Sequence, residues 1–265
     1  MTRRATLCCS YPKCGRTWLR FLLANYYNEI NGYGLRIDFE SMFRLFPNND
    51  RDPHRGVRAF AHAADQRMPV LLFDHALASA IPLDSPVILI VREPLDALVS
   101  NYFQFRYRLL QYNGEIDAFV LEHRSGIHGL VAYLNSWAPR LTPGGSLSVS
   151  YEGMHADMTR VCMRVLDFLG SPVDQSCLSQ AIANSRFSRM QGIERSSGFP
   201  VAGQMQAVTD EKGLRARVGK VGTFSAQLAP ETVVRARLYC QRRLSAAAKL
   251  LLRRHQLGKE LGLLD

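Results

Sequence analysis

Ala5-Thr-Leu-Cys-Cys-Ser10, Tyr11-Pro-Lys-Cys-Gly-Arg-Thr17 and Trp18-Leu-Arg-Phe-Leu-Leu-Ala-Asn-Tyr-Tyr27 follow one another without a break near the start of the chain. The first piece is a short apolar run with Thr and Cys, which reads as a buried strand. The last spaces apolar residues at 18, 19, 22, 23, 26 and 27, the period of a helix. Pro12 and Gly15 mark a tight turn between them. A strand, a Gly-containing loop and a helix N-terminus together form an anion site. The loop and first-turn N–H groups lack partners, and the helix dipole adds positive potential there. Lys13 within the loop and Thr17 at the helix start add a point charge and a hydroxyl to these backbone donors.

The loop is not a Walker A sequence, because Lys13 precedes Gly15 instead of following a second Gly. The order Tyr11-Pro-Lys13-x-Gly15-x-Thr17-Trp18 resembles the 5′-phosphosulfate loop of cytosolic sulfotransferases, enzymes that use 3′-phosphoadenosine 5′-phosphosulfate (PAPS), release PAP and need no metal. The resemblance implies that Lys13, Cys14, Gly15, Arg16, Thr17 and Trp18 bind the cosubstrate, with Cys14 at the usual small position and Arg16 where Thr or Asn is usual.

Length and composition fit this reading without dictating it. A chain of 265 residues is long enough for a large core and near the upper range of one domain. An apolar content of 47% and a charged content of 21% are ordinary for a globular protein. The net charge of +10 suits an anionic ligand, and equally nucleic acid or a membrane surface. The cysteines at 8, 9, 14, 162, 177 and 240 form no Cys-x-x-Cys pair, and no run approaches the ~20 apolar residues of a membrane span. The N-terminal apolar run is too short for a signal peptide, so reduced thiols and a cytoplasmic protein are expected.

Further along, Pro69-Val-Leu-Leu-Phe73 reads as a second strand, and Val87-Ile-Leu-Ile-Val91 as the clearest core strand. Pro94 then suits a first helical position, with apolar residues from 95 to 109 continuing the helix. Residues 115–140 read as one or two helices, Ser146–Ser150 as a partly buried strand, and 155–169 and 174–184 as helices. The Gly-rich stretch 192–222 has little periodicity and reads as a mobile lid, and a basic helix is expected over 230–256. Alternating strands and helices predict a single α/β domain with a central parallel sheet flanked by helices on both faces, and the resemblance implies that this fold is P-loop-like.

Four further segments carry chemistry. Arg92 leaves the end of the best strand and Ser100 lies about 9 Å further along the following helix, within reach of one phosphate. For Arg92 alone, a salt bridge to Asp96 is an equal reading. Arg92-x-Pro94-x-Asp96-x-x-x-Ser100 resembles the family's 3′-phosphate motif, Tyr151-Glu152-x-Met154 its Tyr-Glu-Asp-Met segment, and Ser185-Arg-Phe187-x-x-Met190 the segment that contacts adenine. Trp18 would stack on adenine opposite Phe187. Arg217-Val-Gly219-Lys-Val-Gly222-Thr-Phe224 resembles Arg-Lys-Gly-x-x-Gly-Asp-Trp, which implies that Arg217 and the Gly219 backbone close over the 3′-phosphate, with Lys220 a stand-in for the lysine replaced by Val218. His75, just past a strand end, is the expected base, in rivalry with His62. Cys14-x5-Arg20 matches the bare spacing of thiol phosphatases, but Trp18 and Leu19 fall in a helix where a phosphate-cradling loop is needed.

The expectation is O-sulfation of a small hydroxyl acceptor, apolar or aromatic because Phe39, Phe43, Phe46, Tyr102, Phe103, Phe105 and Tyr107 crowd the candidate pocket segments. Neither nucleic acid nor a membrane is an expected partner, and oligomeric state has no signature. The alternatives are an ATP/Mg-dependent phosphoryl-transfer enzyme with a variant P-loop and a non-catalytic basic binder.

Overall fold

The computed structural model describes residues 4–49, 65–201, 204–206 and 210–264. Four parallel strands, β1 (Thr6–Ser10), β2 (Leu71–Asp74), β3 (Val87–Val91) and β4 (Ser146–Ser150), lie in the order β2-β1-β3-β4. Every residue of β1 and β3 is buried, as expected for central strands covered on both faces. The register sets Cys9 opposite Asp74, Ser10 opposite Ile90 and Val91 opposite Ser150. All four strands therefore end along one edge. The chain reverses its direction of travel across the sheet between β1 and β3, and ligand crevices in open α/β sheets form at that point.

Each strand feeds a loop or helix at this edge. The helix α1 (Arg16–Asn31) follows β1 and is buried continuously from Leu19 to Asn28, the behaviour of a core helix. It ends at Gly32, whose φ of 65° supplies the left-handed C-cap. A short α2 (Phe39–Leu45) follows, opened by a capping box between Asp38 and Ser41. After β3 comes α3 (Pro94–Phe103), with Pro94 in its first turn. Then come α4 (Ile116–Glu122), α5 (Ile127–Trp137), α6 (Tyr151–Ala156), α7 (Met158–Phe168) and α8 (Gln175–Asn184). The last third holds α9 (Phe187–Ser197), a small antiparallel hairpin of β5 (Phe199–Val201) and β6 (Gln204–Gln206), α10 (Pro230–Arg243) and α11 (Ala246–Arg254). Among the described residues no helix is long and apolar enough to cross a membrane.

Three boundaries differ from the sequence reading. The helix after β3 does not run on to 109; it stops at Phe103 and gives way to a π-helical turn over Gln104–Arg108, in which Tyr107 stacks on Phe103 at 5.6 Å. The stretch from 192 is not structureless, because α9 continues to Ser197 and the hairpin follows. The basic terminal segment is two helices, broken at Leu244–Ser245, where the Ser245 hydroxyl accepts the Ala248 N–H at 3.2 Å.

The chain after α11 folds back on the open edge of the sheet. The His255 ring lies 2.9 Å from the Ser148 hydroxyl of β4, and the Gly258 N–H donates to the Glu93 carboxylate at 2.7 Å. Burial, then the charges of Arg164 and Arg254, push the His255 imidazole down to about 4. Its folded value thus lies below the ordinary 6.5, so the unfolded chain takes up the proton first. The stability His255 contributes is complete above pH 6.5 and is lost as pH falls towards 4, up to about 3 kcal/mol in total. Denaturant unfolding of wild type and His255→Gln should therefore show a stability gap at neutral pH that closes on acidification. A gap that stays constant with pH contradicts a neutral, buried His255.

Candidate functional site

The turn after β1 is held by two left-handed residues, Lys13 at φ 69° and Gly15 at φ 96°. Gly15 is required twice over. A Cβ there would also lie 2.7 Å from the Tyr151 ring and 2.8 Å from the Met154 methyl. Lys13 carries the same backbone conformation without the excuse of lacking a side chain, a strain that concentrates at functional sites. The turn opens α1, whose first residues Arg16 and Thr17 line the crevice and whose first N–H groups have no partner within the helix.

Arg92, at the end of β3, crosses this crevice. Its guanidinium donates to the Lys13 carbonyl at 2.9 Å and to the Lys220 carbonyl at 3.5 Å, and lies 4.1 Å from the centre of the Tyr151 ring. Its Nε–H is buried without a hydrogen-bond partner. The expected alternative, a salt bridge to Asp96, does not form. The buried Asp96 carboxylate instead accepts the N–H groups of Gly222 at 2.6 Å and Phe224 at 2.9 Å and the Thr223 hydroxyl at 3.2 Å. Asp96 thereby pins one end of the expected lid onto α3.

A cavity of about 230 Å³ opens at this strand edge. Of the residues predicted from sequence, Lys13, Gly15, Arg16, Thr17, Trp18, His75, Arg92, Ser100, Tyr151 and Phe187 all line it. Four others do not. Cys14 is buried with its thiol pushed up to about 12 by desolvation, so only its backbone is available to a ligand. Ser185 is 1% exposed and holds Trp18 through its carbonyl, which accepts the indole N–H at 2.9 Å, while its hydroxyl faces Asn25. The Arg217 guanidinium lies outside the lining, 3.7 Å over the Phe103 ring, and burial together with Arg92 lowers its pKa. Gly219 sits against Phe187, where a Cβ would approach the ring to 2.4 Å. The Lys220 side chain is exposed and does not enter the cavity. His62 lies outside the described residues.

The cavity is strongly basic. Lys13, Arg16, Arg20, Arg92 and Arg215 line it, and among the described residues no Asp or Glu does. Desolvation first, then Arg215, Arg108 and Arg92, push the Lys13 ammonium from the ordinary 10.5 down to about 7, against the opposing charge of Glu194. The His75 Nδ1 lies 2.7 Å from the Ser10 carbonyl oxygen. A carbonyl can only accept, so Nδ1 carries the proton and Nε2 is the basic nitrogen of the neutral ring.

The other end of the cavity was only partly legible. Phe39 and Phe43 line it as expected, whereas Phe46, Tyr102, Phe103, Phe105 and Tyr107 do not. Gln104, Leu109, Arg215 and Ala216 line it without a place in any expected motif, Met190 lines it as the last residue of the segment compared with the adenine contact, and Arg20 lines it although it was raised only for the thiol-phosphatase spacing. Arg20 is 2% exposed, wedged between the rings of Phe43 and Phe73 at 4.3 and 4.1 Å, and donates to Asn48 at 2.6 Å. That placement and the raised Cys14 pKa remove the thiol-phosphatase spacing from consideration, since the reaction needs a thiolate beside the arginine.

A family model described as "Sulfotransferase domain" matches residues 3–248. Mouse sulfotransferase 2B1 is 23% identical over 193 residues, covering 68% of this chain and 54% of the relative. Cytosolic sulfotransferase 17 of Arabidopsis thaliana is 25% identical over 252 residues, covering 86% and 70%. The chain thus spans about half the length of the first and about 70% of the second. Among solved structures, mouse sulfotransferase SULT7A1 complexed with PAP superimposes with a TM-score of 0.66 at 20% identity, over 96% of this chain and 90% of that one.

Without any ligand, the depressed value of Lys13 is itself testable. Trinitrophenylation followed by peptide mass spectrometry should show Lys13 reacting with a midpoint near pH 7. A midpoint near the ordinary lysine value of 10.5 contradicts the desolvated, cation-crowded site.

Proposed function

The chain belongs to the sulfotransferase family, and from that premise we propose that it moves a sulfuryl group from PAPS to the hydroxyl of a small apolar or aromatic acceptor. The observation that carries this reading is the single cavity shared by Lys13 and Arg92, with the Arg92 Nε–H aimed at no protein partner. One strand end offers a lysine and helix amides, and the neighbouring strand end offers an arginine and Ser100. That spacing of cations suits a nucleotide charged at both its 5′ and 3′ sides, and distinguishes it from a plain adenylate.

The residues present fit such a ligand. Lys13, Arg16, Thr17 and the first amides of α1 would hold the 5′-phosphosulfate. Arg92 and Ser100, with Arg217 and the Gly219 backbone adjoining them, would hold the 3′-phosphate. Trp18 and Phe187, both on the cavity wall, would face the adenine. Bound PAPS supplies the sulfuryl group and a good leaving group in its 5′-phosphate. His75, fixed as the Nδ1–H tautomer by Ser10, takes the acceptor's hydroxyl proton on Nε2 as the oxygen–sulfur bond forms. Lys13, recharged by the anion, steadies the negative charge that gathers on the oxygens being released. Phe39, Phe43, Leu109 and Met190 give the acceptor end its apolar walls and support the choice of an apolar or aromatic alcohol.

Thermal-shift measurements with adenosine 3′,5′-bisphosphate beside ATP, followed by sulfate transfer to a panel of hydroxylated aromatic compounds, test the reading. PAP should stabilise the protein more than ATP does. His75→Ala should lower kcat by about 10²- to 10⁴-fold while PAP still binds. Lys13→Ala should lose both transfer and much of the PAP response. Undiminished turnover in a folded His75→Ala protein removes His75 as the base, and ATP stabilisation without PAP stabilisation overturns the reaction itself.

A further inference from the structure

Glu194 lies on α9, is fully buried, and belongs to none of the motifs described above. One of its carboxylate oxygens accepts the Arg108 guanidinium at 2.9 Å and the Arg215 N–H at 3.0 Å. The other accepts the same Arg215 N–H at 3.0 Å and the Ala216 N–H at 3.1 Å. Arg215 and Ala216 both line the cavity. Arg108 closes the π-helical turn that begins at Gln104, another lining residue, and that continues the helix bearing Ser100. One helical turn before Glu194, Gln191 grips the same segment from its other side, donating to the Ala216 carbonyl at 3.0 Å and the Arg217 carbonyl at 3.3 Å.

A fully buried carboxylate is costly unless its partners are fixed, and removing either member of such a pair leaves an uncompensated buried charge. Glu194 joins three pieces that contribute to the cavity wall: α9, the π-helical turn after α3, and the turn at 215–217. It is also the carboxylate that acts on Lys13, where the cations Arg215, Arg108 and Arg92 act in the opposite sense.

We propose that Glu194 is a positioning residue for the cosubstrate and acceptor site: it locks the 215–217 segment and the Arg108 turn into one wall and supplies the negative charge that keeps the site's cations together. The proposal rests on the PAPS-dependent reading of the same cavity. It separates two effects. The hydrogen bonds set the shape of the wall, and the charge sets the pH at which Lys13 is available to an anion.

Calorimetry of PAP binding across pH 5.5 to 9, on wild type and on Glu194→Gln, tests both. In wild type the affinity should fall as pH rises through about 7, where Lys13 loses its proton in the free protein. Glu194→Gln should weaken PAP binding about tenfold or more at neutral pH and raise the KM for PAPS, with a much smaller fall in kcat. Its pH midpoint should also move down by about half a unit or more, because the charge favouring the ammonium is gone. Gln191→Ala, which loosens the same segment without changing charge, should weaken binding and leave the midpoint in place. If Glu194→Gln does not fold, Glu194→Asp carries the test: the shorter arm withdraws from Arg215 and Ala216 while the charge stays, so affinity should drop with an unmoved midpoint. A folded Glu194→Gln protein with wild-type affinity and midpoint, or a folded Glu194→Asp protein with wild-type affinity, overturns this inference and leaves the reaction standing. Failure of wild type to bind PAP overturns the reaction and this inference with it.

Discussion

The hydrogen bond from the Arg92 guanidinium to the Lys13 carbonyl, 2.9 Å across the ends of β1 and β3, is the constraint on which the rest of the site depends. It exists because two central strands lie side by side in register, with Arg92 just past the end of β3 and Lys13 in the turn that follows β1. Bringing those charges together in a partly buried crevice is unfavourable, and two features offset it. Arg92 is given a carbonyl and the face of Tyr151, so its charge is partly compensated. Lys13 is left to give up its proton near neutral pH. An anion with charge at both ends would offset the repulsion between these cations.

Helix α3 distributes that constraint through the molecule. Pro94 starts it directly after Arg92, so the arginine and the helix are one rigid piece. Two residues on, Asp96 captures the backbone of Gly222 and Phe224 and so ties the end of the Gly-rich segment to α3. One turn later Ser100 reaches the cavity wall, and the π-helical turn beyond Phe103 delivers Arg108 to Glu194. A single element thus connects the arginine at the crevice, the segment that borders it and the carboxylate that braces the far wall. On the opposite side of the loop, Trp18 is steadied by the Ser185 carbonyl and by ring contacts to Tyr151 and His155 at 5.7 and 4.7 Å.

The parts legible in the sequence are those with local physical signatures. Val87–Val91 is an uncharged β-branched run, and the strand occupies those residues. The Lys13 loop announces itself by its Pro, Gly and following helical period, and its residues converge with Arg92 on one cavity. What sequence could not give was the direction a side chain faces. Cys14 and Ser185 sit within or beside the expected motifs yet point into protein, because packing against Pro12 and Asn25 decides their orientation. Arg20, raised only for the thiol-phosphatase spacing, and Glu194 had no expected place in this site for a related reason. Charged residues at helical positions read as solvated surface, and only the tertiary fold encloses Arg20 between two phenyl rings and Glu194 beneath two backbone amides. The break at Leu244–Ser245 did have a signal, since Ser followed by three Ala residues is a ready helix start, but the basic period on either side masked it.

The central claim, that two neighbouring strand ends grip the two charged ends of one nucleotide, is tested most directly by comparing adenosine 3′,5′-bisphosphate with adenosine 5′-monophosphate by calorimetry on wild type and Arg92→Met. In wild type the 3′-phosphate should add about 2 kcal/mol or more of binding, and Arg92→Met should erase most of that difference while leaving the affinity for the monophosphate nearly as it was. Equal affinity of wild type for the two nucleotides, or an Arg92→Met protein that still prefers the bisphosphate to the same degree, would contradict the account.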